Sequence, residues 1–275
     1  MKRSAVTVLA AILLAGGGCP AAGAEPAPDP VQLAEALTAD EHTVRDRSAT
    51  EPVLSAAAHR QQATYREIVK TPGLDTAMAP HIPPDLTGAY RHNIDAGRAL
   101  WGMTTARDTV PPWTIRAPAP ADELLGYYRQ AQADTGVDWN YLAAVNLVES
   151  RFGRIDGDSP DGARGPMQFL PATFAAYGSG DIRAPRDAIM AAGKYLAANG
   201  FVGNRDGALR HYNHSDAYVR AVNDYAAVLA ADPDAFAGYY HWDVYCKTTA
   251  GDILLPVGYS SSVPIPAADY VAAHP

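Results

Sequence analysis

Apolar positions recur along most of this chain at helical rather than strand spacing. Leu33, Ala36 and Leu37 share one face of a helix predicted over residues 31–47, and Tyr65, Ile68 and Val69 one face of another over 52–70. The breakers TPGLDT, from Thr71, and HIPP, at His81, precede a third predicted over 84–101. Pro111, Pro112, Pro118 and Pro120 then forbid a continuing helix and mark a boundary. Beyond it, Asp122 is placed to cap a helix carrying Leu124, Leu125, Tyr128 and Ala131 up to Gly136, and Asp138 to cap the next. A Gly- and Asp-rich loop over 153–165 leads to the segment 166–177, stopped by Gly178. Helical stripes follow over 186–199, 206–212 and 216–231, the last bearing Val219, Val222, Tyr225, Ala226 and Leu229. From Phe236 the pattern shifts to Tyr239, Tyr240, Trp242 and Tyr245, read as a small β-hairpin or loop covering the domain.

The amino terminus departs from this pattern. Lys2 and Arg3 precede an apolar run over 5–15, too short to span a bilayer and suited to an export signal. Two processing sites compete: Ala22, Gly23 and Ala24 suit ordinary cleavage, whereas Gly16, Gly17 and Gly18 before Cys19 resemble a lipoprotein box. The expected location is therefore outside the cytoplasm, with lipid anchoring through Cys19 left open. The division expected is a signal over 1–24, a helical extension or spacer over 25–110, a compact domain over 111–235 and a cover segment over 236–275.

Composition narrows the chemistry. With 48% hydrophobic and 19% charged residues the chain is globular, and a formal charge of −8 argues against nucleic acid as partner. Without Cys19, Cys246 lacks an intrachain partner, so no structural disulfide is expected. No Cys/His spacing suits zinc, and His59, His81 and His92 are read as surface or packing residues. No internal repeat appears, which argues against a repeat-built wall-binding array.

The run WNYLAAVNLVES, from Trp139, carries a single carboxylate at its end. Before Glu149 only Asn140, Asn146 and the Tyr141 hydroxyl are polar, so the helix is predicted to be buried. Glu149 follows Leu142 by seven residues and Val145 by four, which puts it on their face. Burial and the negative end of a helix dipole both favour the neutral acid. Such a group suits general acid catalysis, although Glu149 alone could equally be solvated or paired with Arg151 or Arg154. Asp156, Asp158, Asp161 and Asp181 lie in Gly- and Pro-rich loops, where Asp usually forms turns. Asp156 to Asp161 fail the calcium-loop pattern, with an acid at position six and Met167 at twelve. They are expected to pair with Arg151, Arg154 and Arg164.

Three segments now align: Glu149-Ser150, SPDGARGPMQFLP from Ser159 to Pro171, and HYNHSDAYV from His211. In order and spacing they resemble the catalytic domain of bacterial lytic transglycosylases, over about residues 112–232. The family commonly shows Glu-Ser, then Ser-x-x-Gly-Ala-x-Gly-Leu-Met-Gln-x-x-Pro, then Ala-Tyr-Asn-Ala-Gly. This chain has Pro166 in place of Leu and His214-Ser215 in place of Ala-Gly, which looks more like the branch typified by membrane-bound transglycosylase B.

The resemblance implies a mainly α, lysozyme-like (SLT) catalytic domain acting on peptidoglycan glycan strands, as a monomer and without a cofactor or metal. It implies Glu149 as acid and then base at the MurNAc-GlcNAc β-1,4 bond, with the substrate's N-acetyl group assisting and a 1,6-anhydro ring as product. Ser159 would meet N-acetyl or hydroxyl groups, Gln168 a sugar edge, and Tyr212 would hydrogen-bond near Glu149 with Asn213 beside it. Met167 and Phe169 are expected to pack. Two rivals stay open: a goose-type muramidase that uses water, and a non-catalytic wall-binding lipoprotein that keeps the fold as a groove.

Overall fold

The computed structural model describes residues 29–274. The export signal, Cys19 and most of the segment before Pro30 lie outside the described residues. Four helices come first: α1 (Pro30–Arg45), α2 (Glu51–Lys70), the short α3 (Leu74–Met78) and α4 (Thr87–Met103). The middle of the chain holds β1 (Thr109–Val110), β2 (Thr114–Ile115), α5 (Ala121–Thr135), α6 (Trp139–Ser150) and β3 (Ile155–Asp156). Then come α7 (Pro171–Tyr177), α8 (Pro185–Ala198), α9 (Arg205–Tyr212) and α10 (Asp216–Ala231). The chain closes with α11 (Ala235–His241), the hairpin β4 (Val244–Thr248) and β5 (Gly251–Leu255), β6 (Ile265–Pro266) and α12 (Ala267–Ala273). The chain is mainly α, as the apolar spacing predicts. No helix of the described residues is long and apolar enough to cross a membrane.

Several ends follow local chemistry. Asp29 accepts the Val31 N–H at 3.0 Å, and Ser215 accepts that of Tyr218 at 3.4 Å, each capping a helix. Gly136 closes α5 at φ 73°, a left-handed cap. Three expectations fail. Asp122 lies inside the first turn of α5, which begins after Pro120 with no side-chain cap. TPGLDT does not simply interrupt: Gly73 at φ 85° reverses the chain and α3 starts at once, burying Leu74 and Met78. Asp138 precedes α6 without capping it, because its carboxylate pairs with Arg205 at 3.0 Å. Gln132 Oε1 takes the Trp139 N–H instead, at 2.8 Å.

The first third is helical as expected, and it shares its core with the rest of the chain. One continuous apolar cluster runs from Ala34 and Leu37 through Ile68 and Ile94 to Leu142, Val222 and Trp242. α4 lies along α10 and packs on α2 through Gly97, where a Cβ would come within 2.7 Å of Val69 Cγ2. Buried polar pairs fasten the same seam: Trp242 Nε1 donates to Gln61 Oε1 at 2.9 Å and Tyr239 Oη to Asn93 Oδ1 at 2.6 Å. The aromatics after Phe236 likewise belong to the core: α11 places Phe236 and Tyr239 inside, and only then does the antiparallel β4–β5 hairpin begin. A smaller cluster, Val110, Ile115, Cys246, Leu255 and Tyr270, fills the space beneath that hairpin.

Candidate active site

α6 is apolar nearly all round, and its two asparagines are buried with partners. Asn140 Nδ2 donates to the Ala226 carbonyl at 2.9 Å, and Asn146 Nδ2 to the Tyr128 hydroxyl at 2.8 Å. The helix therefore costs little in unpaired polar groups. Directly after Ser150 the backbone turns left-handed at Arg151 (φ 53°), Phe152 (φ 60°) and Gly153 (φ 86°). Left-handed backbone costs roughly 1–2 kcal/mol for each residue with a side chain, so compensation is required. Phe152 supplies some of it, fully buried against Phe236 with ring centroids 5.2 Å apart. Ser150 supplies more: its hydroxyl donates to the Pro166 carbonyl and accepts the Gly153 N–H at 2.9 Å. One serine thus ties the end of the acid-bearing helix to the loop that carries Gln168.

Glu149 is half-buried at this end. Its Oε1 accepts a hydrogen bond from the Tyr218 hydroxyl at 2.7 Å. Burial pushes its pKa up to about 7, and the Tyr218 hydrogen bond holds it from rising further. Neither arginine considered from sequence pairs with it. Arg151 donates to the Leu147 carbonyl at 3.1 Å and Arg154 to that of Tyr240 at 2.8 Å.

Glu149, Ser159, Gln168, Tyr212 and Asn213 all line one cleft of about 640 Å³. Their local roles differ from the simplest expectation. Ser159 Oγ accepts the Ala163 N–H at 3.0 Å, so it shapes its turn and keeps its own hydrogen and a second lone pair to offer. Gln168 sits at φ 48° and its Nε2 donates to the Gly165 carbonyl at 2.9 Å, which engages the amide's donor end and leaves Oε1 as acceptor. Gly165, at φ 71°, lies so close to the Ile182 carbonyl that no Cβ could fit.

Tyr212 lies on the same cleft as Glu149, and a second tyrosine stands between them. The Tyr212 hydroxyl donates to the Met167 carbonyl at 2.7 Å, and Tyr218 on α10 is the tyrosine bonded to Glu149. The two rings stack at 6.4 Å and 8°, so Tyr212 braces Tyr218 from the cleft side. Asn213 ends α9, its N–H bound to the Leu209 carbonyl at 3.0 Å, and its side chain has no hydrogen-bond partner among the described residues. Met167 and Phe169 are buried, as expected. The missed residue, Tyr218, lies inside the HYNHSDAYV segment, five residues past Asn213 in the first turn of α10, and its spacing alone does not set it apart from a core tyrosine.

The acidic loop is an ion-pair network. Arg183 reaches Asp156 at 2.9 Å and Asp158 at 2.6 Å, Arg164 pairs with Asp158 at 3.1 Å, and Arg116 contacts Asp156. Of the arginines expected there only Arg164 takes part, because Arg151 and Arg154 point to carbonyls. Asp161 is exposed on the cleft wall. No grouping of His, Cys, Asp or Glu suited to a metal occurs among the described residues.

A family model described as Transglycosylase SLT domain matches residues 126–232. A curated relative, the membrane-bound lytic murein transglycosylase F of Thiobacillus denitrificans, is 28% identical over 130 residues, 44% of this chain and 27% of that protein. The chain therefore spans little more than a quarter of the length of the relative it matches. That relative carries the F designation rather than the B that the Asn213-His214-Ser215 corner suggested. No solved structure matches.

Proposed function

We propose that this chain, whose residues 126–232 match a transglycosylase SLT domain, acts as a bacterial lytic transglycosylase of the lysozyme-like superfamily and cleaves peptidoglycan non-hydrolytically, with Glu149 as acid and base in turn. The observation that carries the reading is a half-buried carboxyl on a sugar-sized cleft, with its pKa lifted to about 7. An acid poised there is protonated in a large fraction of molecules at neutral pH and still basic enough to take a proton back.

The steps balance without water. Glu149 gives its proton to the oxygen between MurNAc and GlcNAc as the bond to C1 breaks, and the N-acetyl oxygen of MurNAc stabilises the cationic C1. The carboxylate, held by Tyr218, then removes the proton of the C6 hydroxyl as O6 bonds to C1. Glu149 ends protonated, and the strand ends in a 1,6-anhydro ring. Ser159 has its hydroxyl hydrogen, Gln168 its Oε1 and Asn213 its side-chain amide to hold the sugars.

Asp161 favours a second reading, since it is another carboxylate on the cleft and a hydrolase could use it to activate water. Digestion of insoluble peptidoglycan by the purified protein separates the two. Glu149→Gln should release no soluble fragments while still pelleting with the wall, and Asp161→Asn should retain activity within about threefold. Turnover unchanged in Glu149→Gln would refute the assignment, and loss in Asp161→Asn comparable to that in Glu149→Gln would favour the hydrolase.

A further inference from the structure

A second cavity, of about 210 Å³, lies against a different face of α6, lined by Val148 and Arg151 where the cleft is lined by Glu149. Most of its wall comes from α2, α4 and β4, outside the segment shared with the transglycosylase domain family. Thr104 at its edge is exposed, so the space opens to solvent.

Its lining is cationic and aromatic, and it contains no Asp or Glu. Arg66 is already neutralised, its Nε bonded to Asp252 at 3.0 Å. Lys247 is not: its Nζ donates to the carbonyls of Trp101 and Thr104 at 3.0 and 2.8 Å and meets no carboxylate among the described residues. Arg151 likewise has, among the described residues, only the Leu147 carbonyl. Burial, together with the charge of Arg66, draws its pKa down, as for a guanidinium lacking a counter-ion. Each cation also lies over a ring: Arg66 is 4.0 Å from the Tyr245 centroid, Lys247 4.2 Å from Trp101, and Arg151 5.9 Å from Trp242. Two uncompensated cations at one cavity stand out in a chain whose formal charge is −8. Removing such charges from water is costly unless an anion joins them.

We propose that this cavity binds a small carboxylate with a planar or apolar body, its acid group neutralising Arg151 and Lys247 and its body resting on Trp101 and Trp242. The size agrees, since a cavity of roughly 150 Å³ holds benzene. Aromatic walls with a few placed polar groups are the usual make-up of small-ligand sites. The site is independent of the cleavage chemistry, and its test needs no turnover.

Isothermal titration of the full chain with benzoate, benzamide and N-acetylalanine, with tryptophan fluorescence as a second readout, examines the proposal. Benzoate should bind saturably, and neutral benzamide at least tenfold more weakly. Tighter binding of N-acetylalanine would assign the site to peptide acids, and tighter binding of benzoate to aromatic ones. Lys247→Gln and Arg151→Gln should each weaken the preferred acid at least fivefold, while Glu149→Gln binds as the parent does. Equal affinity for benzoate and benzamide, no saturable binding of either acid at millimolar concentration, or parental affinity in both cation variants would overturn the site.

Discussion

Glu149 owes its pKa to two opposed influences of unequal size. Burial favours the neutral acid and dominates, and the Tyr218 hydroxyl favours the carboxylate and moderates it. The free enzyme must hold the proton, so kcat/KM should fall as pH rises through about 7. Removing the moderating bond shifts that limb upward. For Tyr218→Phe we expect the alkaline limb of the pH profile to move up by roughly one unit and the maximal rate to fall about tenfold, the worth of one hydrogen bond to a charged group. A limb that stays put or moves down would remove Tyr218 from the account. Tyr212→Phe is the natural control, since its hydroxyl is bound to the Met167 carbonyl. Glu149 was legible from sequence because its polarity contrasts with the run before it. Tyr218 was not, because a tyrosine on an amphipathic helix looks the same whether its hydroxyl meets solvent or an acid.

Among the elements, the hook after α6 matters most for the site. Arg151, Phe152 and Gly153 are all left-handed, and Ser150 bonds both to Gly153 and to the loop holding Gln168. Ser150→Ala should lower stability by about 1–3 kcal/mol, the cost of leaving buried partners unsatisfied, and should reduce cleavage more than wall binding. Chemical denaturation beside a cleavage assay checks both, and a variant of parental stability would show that the serine does not fasten the loop. The helices themselves were readable in the sequence, since apolar spacing and Gly or Pro stops place most ends within a few residues. What escaped it were choices made across the fold. Asp138 turned to Arg205, Arg183 joined Asp156 and Asp158 from a distant loop, and α3 arose where breakers suggested irregular chain. Periodicity reports which face is apolar, but not which of several arginines reaches a given aspartate.

At the scale of the molecule, the first third packs on the helices around the cleft, and we propose that it supports them. α4 covers α10, the helix that supplies Tyr218, and Arg45 on α1 pairs with Asp232 at 2.7 Å just beyond α10. A chain beginning at Pro112 should therefore expose the apolar face of α10. We expect it to bind a hydrophobic dye, to lose cooperative thermal unfolding and to cleave no wall. A soluble, cooperatively folding truncation with parental activity would favour a spacer instead. The sequence left this third without assigned chemistry because its polar surface and short loops resemble those of any helical appendage, and only contact with α10 reveals its role.

The central claim is that the sugar's own hydroxyl, rather than water, completes the reaction begun by Glu149. Digestion of peptidoglycan in water enriched in oxygen-18, followed by mass spectrometry of the released fragments, tests it most directly. The account predicts fragments one water lighter than hydrolysis products, with no heavy oxygen at the new MurNAc end. Fragments of hydrolytic mass that carry one heavy oxygen at that end would contradict it.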